Sequence, residues 1–172
     1  MSALDWPVDA DGYPHREAAR VLLFDDTGRV LLAKGHDEDQ PERFWWFTIG
    51  GGIEDPRAAA VREVFEETGI ELAADDLVGP VLYRTAEFDF LAVNARQDEW
   101  FFIAQAPSTA LSWDGWTELE RSVIDTQAWW DIDEAAAQID GDIYPAQILE
   151  YARAWREGWD GHMIRLTDTR EP

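Results

Sequence analysis

The stretch from Gly50 to Gly69 constrains this chain more than any other. Three consecutive glycines, Gly50-Gly51-Gly52, lead into a segment that carries both ends of a helix. Asp55 is a good N-cap acceptor, Pro56 sits at the first helical position, and Gly69 offers the left-handed stop. On a wheel of about 100° per residue, Ala58, Val61, Val64, Phe65 and Thr68 fall in a stripe roughly 120° wide. Arg62, Glu63, Glu66 and Glu67 are expected on the opposite side. One face would then pack on a sheet while the other gathers three carboxylates within a turn, as i,i+3 and i,i+4 neighbours.

Three like charges on one turn repel unless something cancels them. Arg62 can pair with Glu66, but one guanidinium does not neutralise three anions. Hard divalent cations with oxygen ligands would, and Mg²⁺ accepts a few carboxylates while keeping several waters. The alternative is a solvated acidic face, common in acidic chains. The glycine run adds weight to a ligand, because side chains there would block close approach to the backbone.

The charge balance narrows the partners. Fourteen Lys plus Arg stand against 36 Asp plus Glu in 172 residues, a formal charge of −22. Thirteen of the fourteen cations are arginine, Lys34 being the exception. Nucleic acid is disfavoured, since affinity for phosphate backbones comes from basic side chains releasing counterions. A polyphosphate substrate would have to arrive shielded by divalent cations. No cysteine is present, which excludes disulfides, thiolate metal sites and cysteine nucleophiles. The apolar runs Val21–Phe24 and Trp45–Phe47 are too short to span a bilayer, so no membrane is expected. The first residues lack a basic and apolar export signal, and a cytoplasmic setting is the expectation. The length suits one domain, and ten Trp, four Tyr and eight Phe provide core material.

Ala19–Phe24 and Arg29–Lys34 flank Asp25-Asp26-Thr27-Gly28 and read as a β-hairpin. Phe44–Ile49 runs into the glycines. Val78–Phe90 and Glu99–Ala106 read as strands joined by a loop around Ala95-Arg96-Gln97, and Val123–Trp130 as another strand. Asp131–Ile139 reads as a short helix and Tyr144–Trp159 as a closing one, with Ile148, Ala152, Trp155 and Trp159 at helical spacing. Strands mixed with three helices predict an α/β or α+β sandwich.

Gly50-Gly-Gly-Ile-Glu54 followed by Arg62-Glu-Val-Phe-Glu-Glu-Thr-Gly-Ile70 resembles the signature of the Nudix hydrolases, and its second half matches at every specified position. The resemblance runs from about Ala18 to Trp159. It implies an α/β/α sandwich with a mixed central sheet and one Nudix hydrolase domain over residues 1–172. One departure stands out: about three residues are missing between Glu54 and the helix. The family's early glutamate is thereby deleted, leaving Glu54 or Asp55 as stand-ins.

The resemblance further implies a Mg²⁺- or Mn²⁺-dependent hydrolase that cleaves the diphosphate linkage of a nucleoside diphosphate joined to another group, by water attack at phosphorus. Glu63, Glu66 and Glu67 would hold the metal, a carbonyl of Gly50, Gly51 or Gly52 would complete its shell, and Arg62 would orient the glutamates. A helix glutamate such as Glu63 or Glu66, or a loop acid, would serve as general base. Glu118, Glu120 and Asp125 are the loop acids, with Glu120 favoured, and Glu99 is a further candidate to face the metal. The alternative function is a non-catalytic, Nudix-like nucleotide sensor. The expected partner is a small nucleoside diphosphate derivative, with no nucleic acid or membrane; dimers are frequent among similar proteins, so a homodimer is also considered.

Trp45, Trp46, Trp113, Trp116, Trp129 and Trp130 suggest base stacking for one or two at most, the rest being packing residues. Trp155 and Trp159 are expected to pack. His15, His36 and His162 are assigned no role, and Arg43 and Lys34 are expected in solvent.

Overall fold

The computed structural model describes residues 5–53, 55–90 and 93–171, with side chains described except at 88–90, 93 and 167–171. The glycines form the end of a strand because they pair with one. β1 (His15–Phe24) takes β4 (Ile49–Gly52) as an antiparallel neighbour, with Ala18 opposite Gly52, Ala19 opposite Gly51 and Arg20 opposite Gly50. Its other edge pairs in parallel with β6 (Val93–Gln105) over its whole length. β6 continues into antiparallel β5 (Val78–Phe90), which pairs in parallel with β9 (Ile164–Glu171). β2 (Val30–His36) lies between antiparallel β3 (Phe44–Phe47) and β7 (Ile124–Trp130), and β8 (Asp142–Tyr144) adds to β3 in parallel.

Alternating side chains send β1 into two cores. Ala19, Val21 and Leu23 pack with Ile49, Phe102 and Ala104 under α1 (Pro56–Thr68), through Ala59, Ala60 and Val64. Leu22 and Phe24 face the other way, toward Leu82, Phe101, α3 (Ile132–Gln138) and α4 (Ile148–Trp155). The mixed sheet therefore sits between α1 and the α3–α4 pair, the expected sandwich. No described helix is long and apolar enough to cross a membrane.

Several boundaries differ from the sequence reading. The turn after β1 forms, with Gly28 at φ 83°, but the ladder between β1 and β2 is confined to Phe24 opposite Val30. They part because β1 bonds to β4 and β6, whereas β2 bonds to β3 and β7. Ala95–Gln97 lies inside β6, since β5 and β6 pair down to Phe90 and Val93. The closing helix is shorter: Tyr144 belongs to β8, and the turn of Ile148 begins only after Pro145. Trp155 is buried in α4, and Trp159 packs on the same core from beyond its end.

The helix face is the correction that matters for function. Asp55 caps α1 by accepting the Ala58 N–H at 2.8 Å, and Gly69 closes it at φ 74°. The buried stripe, however, is Ala59, Ala60, Glu63, Val64, Glu67 and Thr68, while Phe65 is 52% exposed. The helix is rotated from its expected seat so that two carboxylates face the sheet.

Candidate active site

Glycine makes that rotation feasible. A Cβ on Gly51 would lie 2.6 Å from Glu63 Oε2, so the space of the absent side chain holds the carboxylate. Gly50 has φ 145°, a conformation that L side chains rarely adopt, and a Cβ there would lie 2.0 Å from the Ala19 carbonyl oxygen. Its N–H donates to Glu67 Oε2 at 3.3 Å. Glu63 and Glu67 thus lie one turn apart, 6% and 3% exposed, against β4.

A third carboxylate comes from the segment before β7. Ser112 N–H donates to the Thr68 carbonyl at 2.8 Å, and the Trp116 indole donates to the Glu67 carbonyl at 2.7 Å. Gly115 passes so close to α1 that a Cβ would lie 2.3 Å from the Glu66 carbonyl oxygen. A short helix, α2 (Glu118–Val123), follows, capped by Thr117 and Glu120 in a reciprocal capping box. Ligand-type oxygens of Glu63, Glu67 and Glu120 then all lie within 4.8 Å of one another.

The electrostatics of this trio are unfavourable as they stand. Burial raises the Glu63 carboxyl, Arg62 opposes it, and the Glu66 and Glu120 charges add to the rise. Glu67 is pushed well above the usual carboxylate range, first by burial and then by Glu63. The neighbouring buried acid behaves in the opposite way. Burial would raise Glu99 too, but Arg84 and Arg20 outweigh it and hold its pKa at about 2. Arg20 Nε meets Glu99 at 2.8 Å, Arg84 pairs with its other oxygen, and the Gln97 amide donates at 2.7 Å. One buried acid is fully countered, and the trio is not.

Arg62 binds three acceptors: Glu63 at 2.8 Å, Glu66 at 3.1 Å and the Gly52 carbonyl at 3.1 Å. It therefore spans helix and glycine strand. Glu66 holds Arg62 on the solvent side, its side chain 43% exposed, outside the trio. Of the stand-ins, Asp55 is spent on the helix cap, and Glu54 lies outside the described residues. Glu118 is exposed on the first turn of α2, and Asp125 pairs with His36 at 2.9 Å. Glu99 does not join the acids of the trio; its arginines hold it away from that role.

A cavity of about 1070 Å³ opens beside the trio, lined by Glu63, Arg62, Gly52, Arg16, His15 and Trp6 among others. None of the six tryptophans proposed for stacking lines it. Trp46 packs edge-on against Trp130, Trp113 against Trp116, and the Trp129 indole donates to the Thr109 carbonyl at 3.1 Å. Trp6, Arg16 and Gly115 escaped the sequence reading. Only α2 left a signal, in the spacing of Thr117 and Glu120. Arg43 pairs with Asp37 at 3.4 Å, and Lys34 lies over the Phe44 ring at 4.0 Å.

Residues 14–151 match the family model described as NUDIX domain. An RNA pyrophosphohydrolase of Dinoroseobacter shibae is 40% identical over 67 residues, covering 37% of this chain and 40% of that protein. The dihydroneopterin triphosphate diphosphatase of Escherichia coli is 29% identical over 96 residues, covering 49% of this chain and 61% of that one. The aligned stretches thus span less than two thirds of these curated relatives. Among solved structures, a MutT NUDIX hydrolase from Burkholderia pseudomallei superposes with a TM-score of 0.54 at 21% identity, over 80% of this chain and 97% of that one. An ADP-ribose pyrophosphatase from Streptococcus suis does so with 0.56 at 13% identity, over 88% and 98%. These two likenesses speak to the fold.

Proposed function

The chain belongs to the NUDIX family, and from that premise we propose that it is a divalent-metal-dependent hydrolase of a diphosphate linkage in a nucleoside diphosphate joined to another group. The observation that carries the reading is the trio of Glu63, Glu67 and Glu120, three oxygen donors within 4.8 Å of one another and short of positive charge. That donor set fits Mg²⁺ or Mn²⁺, hard ions that prefer carboxylate oxygen. Raised carboxyls that gain from an added cation are the mark of such a site.

In this reading Glu63, Glu67 and Glu120 would hold the ion, and Glu66, paired with Arg62 on the solvent side, would be a further ligand. When bound, such an ion would supply positive charge against the diphosphate, lower the pKa of water and stabilise the charge of in-line attack. The residues do the rest. Arg62 ties Glu63 to the Gly52 carbonyl and so fixes the distance between helix and strand. Arg20 holds the Gly50 and Thr48 carbonyls at 3.0 and 3.3 Å, which keeps the glycine strand in register. Glu120 stands on a separate element, with Thr117 N–H and O–H on its Oε2 at 2.6 and 2.8 Å.

Relatives named RNA pyrophosphohydrolases raise RNA 5′ ends as a substrate, but a charge of −22 disfavours a long polyanion. Small nucleotides are the better expectation. The test is a phosphate-release screen over nucleoside triphosphates, dinucleoside polyphosphates, ADP-ribose, nucleotide sugars and 5′-triphosphorylated RNA. Turnover that requires Mg²⁺ or Mn²⁺ and vanishes in Glu67→Gln supports the reading. Turnover undiminished in that variant overturns it.

A further inference from the structure

The cavity beside the trio is larger than a diphosphate requires, and its cations are unequally occupied. Arg62 is spent on two glutamates and a carbonyl, and His15 faces Asp98 at 3.1 Å. Arg16 differs. Its Nε donates to Gln97 Oε1 at 2.6 Å, and its guanidinium carbon lies 4.1 Å from the centre of the Trp6 ring. Among the described residues it forms no ion pair, in a chain with 36 acids. Its Nη1 approaches Gly52 so closely that a Cβ there would lie 3.2 Å away, and Gly52 follows Gly51, the residue that accommodates Glu63.

These contacts fix the group without satisfying it. A guanidinium presents five N–H donors, and Gln97 takes one. Trp6, itself 6% exposed, supports one face of the plane and restricts its rotation. Burial, then Arg20, lowers the Arg16 pKa to about 10 against the pull of Glu99 and Glu63, so the group stays charged at neutral pH. The cavity thus offers one pre-positioned, chargeable fork beside the carboxylates, suited to an oxyanion. Glu17 and Asp55 line the same cavity and would repel an anion seated beside them rather than at Arg16.

We propose that Arg16, backed by Trp6 and Gln97, is a specificity-determining residue that binds a phosphate beyond the scissile diphosphate, so that nucleoside triphosphates are preferred to derivatives whose distal group is a neutral sugar. This rests on the trio being the metal site of a pyrophosphohydrolase.

The test compares kcat/KM for a nucleoside triphosphate and for ADP-ribose in the wild-type chain, Arg16→Gln and Arg16→Lys, with thermal melts to confirm folding. Loss of a charge-assisted fork is expected to lower the triphosphate to ADP-ribose ratio by about 10- to 100-fold in Arg16→Gln, chiefly through KM. Arg16→Lys, which keeps the charge but not the fork, should fall between. An unchanged ratio overturns the proposal, whatever happens to the absolute rates. In parallel, calorimetry follows binding of tripolyphosphate in the presence of Mg²⁺. If the wild type hydrolyses nothing yet binds tripolyphosphate at least tenfold more tightly than Arg16→Gln, the anion subsite stands while the hydrolase reading falls. Equal binding, or none, removes the subsite.

Discussion

Arg20 donates through Nε to Glu99 at 2.8 Å and through Nη1 to the Gly50 carbonyl at 3.0 Å, joining a buried acid of β6 to the glycine strand. Glu99 is 1% exposed and ionised, and Arg84 completes its neutralisation. Glu99→Gln leaves the buried Arg84 and the half-buried Arg20 without their anion. Breaking a buried pair in this way costs about 3–5 kcal/mol. Chemical denaturation should show a loss of that order; a loss under about 1 kcal/mol would mean that water, not Glu99, satisfies the arginines.

The trio predicts a conflict between stability and activity. Glu67 is fully buried beside Glu63 and carries a carboxyl raised by burial and repulsion. Glu67→Gln keeps the shape and removes that penalty. Melting in EDTA should rise by about 2–4 °C for each kcal/mol relieved in a chain of this size, while Mg²⁺-dependent turnover disappears. A lower melting temperature in EDTA would show that Gly50 N–H and Arg20 already compensate the charge.

Gly51 is expected to be more sensitive in activity than in stability. Its absent Cβ is the space of the Glu63 carboxylate, and the obstruction is a movable side-chain end. Gly51→Ala should displace that carboxylate and lower kcat by about 100-fold, the scale on which small misplacements act, with a modest shift in melting. Gly50→Ala meets backbone at 2.0 Å instead and should compromise folding itself. Equal activity in Gly51→Ala and the wild type would separate Glu63 from the chemistry.

The turn after β1 predicts a pH effect. Burial alone would raise the Asp25 carboxyl, but bonds from Thr27 and Arg29, at 2.6–2.9 Å, overcome it and leave the pKa below the ordinary value. A lowered folded pKa means that the stabilisation is complete above the unfolded value, about pH 4, and is lost as pH falls through the folded value. Asp25→Asn should therefore narrow its stability deficit relative to the wild type as acid is added below about pH 4. A deficit constant down to pH 2 would assign the loss to packing.

Caps are local, so Asp55, Pro56 and Gly69 announced α1 at both ends. The face it buries is a tertiary choice. Phe65 outranks Glu63 in any apolar tally, yet Gly50 and Gly51 leave room on the sheet for carboxylates, and the helix turns them inward. Turn residues at Asp25–Gly28 signalled a reversal but not the partners of β1, because β4 and β6 arrive from distant parts of the chain. Glu120 could be named only through the resemblance. Its arrival at the trio depends on Gly115 and Trp116 docking on α1, contacts with no periodicity. Arg16 gave no signal, since its role depends on Trp6 and Gln97 meeting in space.

The most direct measurement is titration calorimetry of Mn²⁺ or Mg²⁺ into the full chain, beside Glu63→Gln and Glu67→Gln. Saturable uptake by the wild type, strengthened by added nucleotide, is expected, with its loss in both variants. Absence of uptake by the wild type with nucleotide present, or uptake unchanged in the variants, would contradict the metal-site reading.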